Sequence, residues 1–177
     1  MGTRSTIALF DKEGSVKSVY VHWDGYISNN GVILYRHYKN INKVRQLIEL
    51  GSISSLKEEV IPPLGVEHNL DKPYIGVTSF YGRDGKEDDN NASCFSSLQD
   101  FFTNNDFQEY NYVFKEESNQ WYVLNPNNKT LKKLEAVIMN DSQVESYFKN
   151  MINSVKLSEK LNKELEKNDK LEKKMKV

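Results

Sequence analysis

Residues 3–23 read TRSTIALFDKEGSVKSVYVHW. Two runs, Thr3 to Phe10 and Val16 to Trp23, alternate with period two on either side of Asp11-Lys12-Glu13-Gly14, the pattern of a β-hairpin. A three-residue loop, Lys12 to Gly14 with Gly14 left-handed, sets residues whose numbers sum to 26 opposite one another. Ile7 then faces Val19 on a core side. The other side carries Arg4 opposite His22 and Thr6 opposite Tyr20, a polar and aromatic surface that hydrophobic burial does not require. A slip of one residue would mix the two faces, so the alternation itself favours the even sum.

After a turn at Asp24-Gly25, Asn29 or Asn30 is the expected N-cap of a helix carrying Ile33, Leu34, His37, Tyr38 and Ile41. A second helix is expected from Asn42, with Val44, Leu47 and Ile48 on one face and Gly51 closing it. Residues 52–73 contain Pro62, Pro63 and Pro73 and read as a loop with at most one helical turn. "PYIGVTSFYG" predicts a third strand, running into the polar loop "GRDGKEDDNNAS". A short helix is expected at "SSLQDFFTNN", and a second hairpin at "EYNYVFKEESNQWYVLNP" with its turn at Ser118-Asn119. "TLKKLEAVI" adds one more strand. The fold class is therefore α+β: an antiparallel sheet of about five or more strands with packed helices and a C-terminal helical extension.

Ser142 and Glu145 have capping-box spacing, and Val144, Tyr147, Phe148, Met151, Ile152 and Val155 follow at helical spacing, an apolar face expected to dock on the sheet. Residues 1–155 are expected to form one domain. The tail, 156–177, spaces Leu157, Leu161, Leu165, Leu171 and Met175 like a weak heptad with Asn168 at a core position. It reads either as a solvated helix that frays or as a coiled-coil arm assembling copies of the chain.

With 177 residues, 38% of them hydrophobic, the chain can bury a core without staples, and a mean hydropathy of -0.68 fits a well-solvated surface. No apolar run is long enough for a bilayer, which argues against a membrane partner and for the cytoplasm. The single Cys94 excludes an intramolecular disulfide. The formal charge of -1 divides into about +3 on the lysine-rich tail and -4 on the body, a balance that disfavours nucleic acid as a partner. Nucleophile-elbow, phosphate-loop and zinc-protease signatures are missing, no cofactor is implied, and the three histidines lie in different segments. The acidic run Asp84, Glu87, Asp88 and Asp89 reads as a solvated turn rather than a cation site.

The candidate ligand-binding residues are Arg4, Tyr20, His22, Asp24, Tyr26, Tyr81 and Arg83. Arginine pairs with phosphate, aromatic rings stack on bases, and His22 with Asp24 can donate and accept hydrogen bonds. Trp23 is expected to turn toward the core, away from Tyr20. Arg83 follows the aromatic pair Phe80-Tyr81, where it could stack on a base or grip a phosphate, or else make an ion pair with Asp84.

"MGTRSTIAL", "YVHWDGYISNNG" and "FYGRDGKEDDN" together resemble a mostly uncharacterised family of small phage and prophage proteins. Its members open M-G-T-R-S and carry an H-W-D-G-Y-P-type segment and a later R-D-rich one. The resemblance spans about the first 90 residues; Ile27 stands where that pattern has proline, and the lysine-rich tail departs from it. It implies a phage setting in a bacterial host and transfers no catalytic residue. The leading expectation is a non-enzymatic protein that counters host defence by sequestering a small anionic nucleotide or by docking on a defence protein. One alternative is an enzyme acting on nucleotides or nucleic acid, with His22 as general acid/base oriented by Asp24 or Asp84. The other is an interaction module assembled through the C-terminal helix.

Overall fold

The first hairpin forms in the register that its alternation demands. Strands β1 (Ser5–Phe10) and β2 (Val16–Val21) pair antiparallel, with Ile7 opposite Val19 and Thr6 opposite Tyr20. Gly14 sits at φ 96° and its N–H donates to the Asp11 carbonyl at 3.1 Å, so the loop conformation fixes the register. The Asp11 carboxylate locks that loop by accepting the Ser15 N–H and hydroxyl at 3.0 and 2.6 Å. These coordinates are a computed structural model that describes residues 2–88 and 91–176.

The helix after the turn starts earlier than expected. A π-helical turn, Ile27–Gly31, runs directly into α1 (Val32–His37), with Tyr26 at its N-cap. Asn29 and Asn30 are not caps because their amides are used elsewhere. Buried Asn30 donates to Ser5 Oγ and to the Trp23 carbonyl, and Asn29 donates to the Asp24 carbonyl. Helix α2 (Ile41–Glu49) begins ahead of Asn42, capped by Asn40, whose side chain accepts the Asn42 N–H at 2.8 Å. Val44, Leu47 and Ile48 are buried as the spacing requires, and Gly51 follows at φ 81°.

The middle of the chain departs most from its sequence reading. A short β3 (Ile53–Ser55) lies where only loop is expected, and β4 is just Ser79–Phe80. Gly76 at φ 79° interrupts the run 73–82, leaving Val77 to bridge Glu59 as an isolated pair. Helix α3 (Tyr81–Gly85) replaces the start of the polar loop, β5 (Ser93–Phe95) is a further unexpected strand, and α4 (Leu98–Asn104) appears as expected. Strands β6 (Tyr110–Lys115) and β7 (Gln120–Asn125) form the second hairpin with Asn119 at φ 51°, and β8 (Thr130–Lys133) gives way to α5 (Leu134–Asn140) halfway through the expected strand.

The order across the sheet is β4-β3-β2-β1-β6-β7-β8, with β5 pairing on β2. The α+β class holds, but the sheet is mixed rather than antiparallel throughout: β1 runs parallel to β6 and β2 to β3. One face buries Ile7, Val19, Val21, Tyr112 and Phe114, and α1 and α2 contribute Leu34, Val44, Leu47 and Ile48 to the core. The Trp121 indole N–H anchors there on the Tyr38 carbonyl at 2.8 Å. The opposite face is divided. Ala8, Val16, Val113 and Leu124 lie buried with Phe101 of α4, while farther along the same strands Arg4, Thr6 and Tyr20 border an open cleft.

The elements above belong to a unit of residues 1–141, and residues 142–177 form a second. In the second, α6 runs from Ser146 to Met175 with Glu145 at its N-cap. Glu145 is extended and its carbonyl accepts the Phe148 and Lys149 N–H groups, so the helix starts after the Ser142–Glu145 box rather than inside it. No described helix is long and apolar enough to cross a membrane.

Candidate functional site

Arg4 and His22 lie one residue beyond the last paired rung, Ser5 opposite Val21, where the ladder hands its hydrogen bonds to neighbouring strands. The Arg4 N–H donates to the Glu109 carboxylate at 3.0 Å and the Arg4 carbonyl accepts from Tyr110, while the His22 N–H goes to the Ile53 carbonyl. Backbone position is thus fixed on both sides, and the side chains join across the gap. Arg4 Nε donates to the Tyr20 hydroxyl at 3.1 Å, and that hydroxyl meets His22 Nδ1 at 3.2 Å. A guanidinium can only donate, so the phenol oxygen accepts from Arg4, and towards Nδ1 it donates or accepts according to which ring nitrogen of His22 holds the proton. Arg4 keeps its two terminal nitrogens without a hydrogen-bond partner among the described residues. The Tyr81 ring stands 6.4 Å from that of His22, edge-on.

Beside this row opens a cleft of about 570 Å³. Arg4, Thr6 and Tyr20 line it from the hairpin, Phe95 from β5, and Asn104 and Asn105 from the end of α4. Its lining is mostly hydroxyl and amide, and Asp106 is the acidic side chain in it. Asn105 accepts the Ser18 hydroxyl at 2.8 Å, and its buried Nδ2 has no partner among the described residues. A cleft of this volume suits one nucleoside-sized ligand.

The segment "HWDG" works differently from its sequence reading. Trp23 does not enter the core: it is 44% exposed, with its ring tilted against His22 at 4.6 Å. The strand ends at Val21, the Trp23 N–H donates to Ser54, and Asp24 adopts φ 58°, so alternation no longer dictates where Trp23 points. The ring lies over Gly2, where a Cβ would come within 2.6 Å of it. Gly25 is pressed against the start of β1: a Cβ there would stand 2.7 Å from the Arg4 carbonyl oxygen. Asp24 serves through its backbone, accepting from Asn29 and Asn30, and Tyr26 is exposed at the start of the π-helical turn. No hydrogen bond or ring contact ties Asp24's carboxylate or Tyr26 to the Arg4 row among the described residues.

Arg83 is the second departure. Its guanidinium grips Asp84 through Nε at 2.7 Å and Nη2 at 2.9 Å, and donates to the carbonyls of Val60 and Thr78 at 2.6 and 2.9 Å. It also lies over the Phe80 ring at 4.8 Å. The ion-pair reading therefore describes it, and neither Arg83 nor His22 is among the residues lining the cleft beside Arg4. His68 completes the cluster. Its Nδ1 accepts the Tyr74 N–H at 3.0 Å, so its Nε2 proton faces Asp84 at 3.3 Å and the Thr78 carbonyl at 3.2 Å. Neither Asp24 nor Asp84 is bonded to His22, whose partner is a phenol.

Groups with shifted acidity lie in the scaffold. Burial pushes the phenols of Tyr38 and Tyr112 well above the usual tyrosine range, and Tyr112 spends its hydroxyl on the Gly25 carbonyl at 2.7 Å. Desolvation lowers His37 below the ordinary histidine value. Among the described residues no three His, Cys, Asp or Glu side chains gather as a metal site, and Asp89 of the acidic run lies outside the described residues. Thr6 and Ser18 were within reach of sequence reading, because they share strand parity with Arg4 and Tyr20. Asn104 and Asn105 arrive through long-range pairing, β5 on β2 before them in the chain and β6 on β1 after them. No protein-family model, curated protein or solved structure matches the chain.

Proposed function

We propose that the protein binds a small anionic nucleotide in the cleft beside Arg4 without turning it over, and that a phage uses this in the host cytoplasm to withdraw a defence signal. The observation that carries the reading is Arg4 itself. Its Nε is held by Tyr20 while its terminal nitrogens stay uncommitted at the edge of a polar cleft of about 570 Å³. An arginine pre-positioned through one nitrogen loses less freedom on gripping a phosphate, and the hydroxyl and amide lining offers partners to a sugar and base. Against acid/base catalysis, His22 is oriented by a phenol rather than a carboxylate. The phage setting rests on the resemblance of residues 1–90.

Isothermal titration with ribonucleoside 5′-phosphates at low salt tests this: micromolar binding is expected, weakened at least tenfold by Arg4→Ala and by added salt. No heat at millimolar nucleotide overturns it, and recovery of degraded nucleotide would turn the reading toward an enzyme. A separate observation supports assembly of the chain. Leu157, Leu161, Leu165 and Leu171 are each at least half exposed on the continuous helix α6. Truncation after Lys156 that shifts a dimer to a monomer in light scattering is the expected outcome, and an unchanged mass removes that reading.

A further inference from the structure

A second cleft, of about 580 Å³, opens at the other end of the Arg4 row. Trp23, Leu70, Tyr74 and Ile75 give it the large apolar and aromatic side chains that the first, rich in amides and hydroxyls, lacks, while Lys57 and Glu58 supply its charges. The two are joined by three successive contacts: Arg4 to Tyr20 at 3.1 Å, Tyr20 to His22 at 3.2 Å, and His22 to Trp23 at 4.6 Å between ring centres. Charge and hydrogen-bond donors therefore lie between a polar cleft and an aromatic one. Each cleft has room for one nucleoside.

Accepting the nucleotide reading above, we infer that the ligand is a dinucleotide. One nucleoside occupies the polar cleft, a phosphate meets the Arg4 guanidinium beside the His22 imidazole, and the second base lies on Trp23 opposite Tyr74. A base stacked on an aromatic side chain contributes enough to tighten binding about tenfold. Exposed Trp23 reports its own occupancy, because the chain's other tryptophan, Trp121, is buried with its N–H on a backbone carbonyl.

The test titrates the four ribonucleoside 5′-monophosphates and the corresponding 5′-phosphorylated homodinucleotides, following tryptophan fluorescence and heat. At least one dinucleotide should bind ten times or more tighter than its mononucleotide and quench Trp23, with the quench gone in Trp23→Phe. Tyr74→Ala, which leaves the His22–Trp23 stack in place, should erase the dinucleotide advantage and leave the mononucleotide affinity unchanged; Trp23→Ala should also erase that advantage. Equal affinities for the two lengths, or an advantage that survives both alanine variants, overturn the inference while the nucleotide reading stands. If no probe of either length binds, the nucleotide reading falls and this inference with it.

Discussion

Arg4 and Arg83 each keep company with a histidine and an aromatic ring, yet one sits in an open row and the other in a closed knot. Arg83 places four hydrogen bonds on Asp84, Val60 and Thr78, and the side chains of Asp84 and His68 are 3% and 1% exposed. Arg4 places one side-chain bond, on Tyr20. The difference follows from what each backbone lacks. Residues 56–78 have no named strand or helix, so side chains must tie them down, whereas Arg4 and His22 are held by strand neighbours on both sides. An arginine whose donors are spent builds structure; one whose donors are left over is available to a ligand.

Removing the carboxylate at the centre of the knot should give the largest effect. Asp84→Ala leaves Arg83 without its counter-charge and strips the Phe80 N–H of its 2.7 Å acceptor. Loss of one partner of a buried pair costs about 3–5 kcal/mol, to be read from the urea midpoint. Arg4→Ala in the same assay should stay within about 0.5 kcal/mol. Equal losses from the two variants would erase the distinction between knot and row.

The row depends on backbone fit, and Gly25→Ala attacks that. The added methyl would stand 2.7 Å from the Arg4 carbonyl oxygen, a backbone atom that cannot swing aside. Overpacking of this kind costs about 1–3 kcal/mol. The shift should also displace the Arg4 guanidinium, so nucleotide affinity falls further than in an equally destabilised variant of the knot. Unimpaired binding in Gly25→Ala would show that the turn does not position the row.

Tyr38 belongs to the closed side, donating to the Lys57 carbonyl at 2.8 Å and touching the Thr78 hydroxyl at 3.2 Å. Burial raises its phenol above the ordinary value of about 10, which the unfolded chain retains. The fold therefore prefers the neutral form. Its contribution is whole below about pH 10 and is lost as pH rises further, at about 1.4 kcal/mol per pH unit for each such tyrosine. Unfolding free energies between pH 9 and 11.5 should show the fall, and Tyr38→Phe should flatten it while costing about 1 kcal/mol at neutral pH. An undiminished slope in that variant would remove Tyr38 from the knot's account.

The open row was more legible in the sequence than the closed knot, for a physical reason. Strand alternation and a glycine-closed loop are local, and they suffice to set Thr6 opposite Tyr20, with Arg4 and His22 just beyond the last rung. Trp23 defeated the same reasoning because periodicity carries no information past Val21, where the ladder passes to β3. The pairing of Arg83 with Asp84 was among the readings of neighbouring residues, but His68 joins them through a loop, so spacing predicted neither its arrival nor the burial. The polar half of the cleft was hidden too. Its asparagines reach the hairpin through the pairings of β5 on β2 and of β6 on β1, both between segments far apart in the chain.

The smallest expected change in stability separates the row's two internal bonds. Tyr20→Phe removes the hydroxyl that accepts from Arg4 and bonds His22, at a half-buried site where the loss should be about 0.5 kcal/mol. Its effect should show in orientation instead. Without the phenol, His22 Nδ1 loses its partner and the tautomer that the bond selects is no longer favoured, which nitrogen-15 correlations of the imidazole resolve directly. Arg4, freed at Nε, must be reordered by any ligand it grips, so nucleotide affinity should fall several-fold with the fold kept and melting only slightly lowered. A His22 spectrum identical to that of the parent protein would mean that the phenol does not set the tautomer, and that Arg4 and His22 act as neighbours rather than as one row.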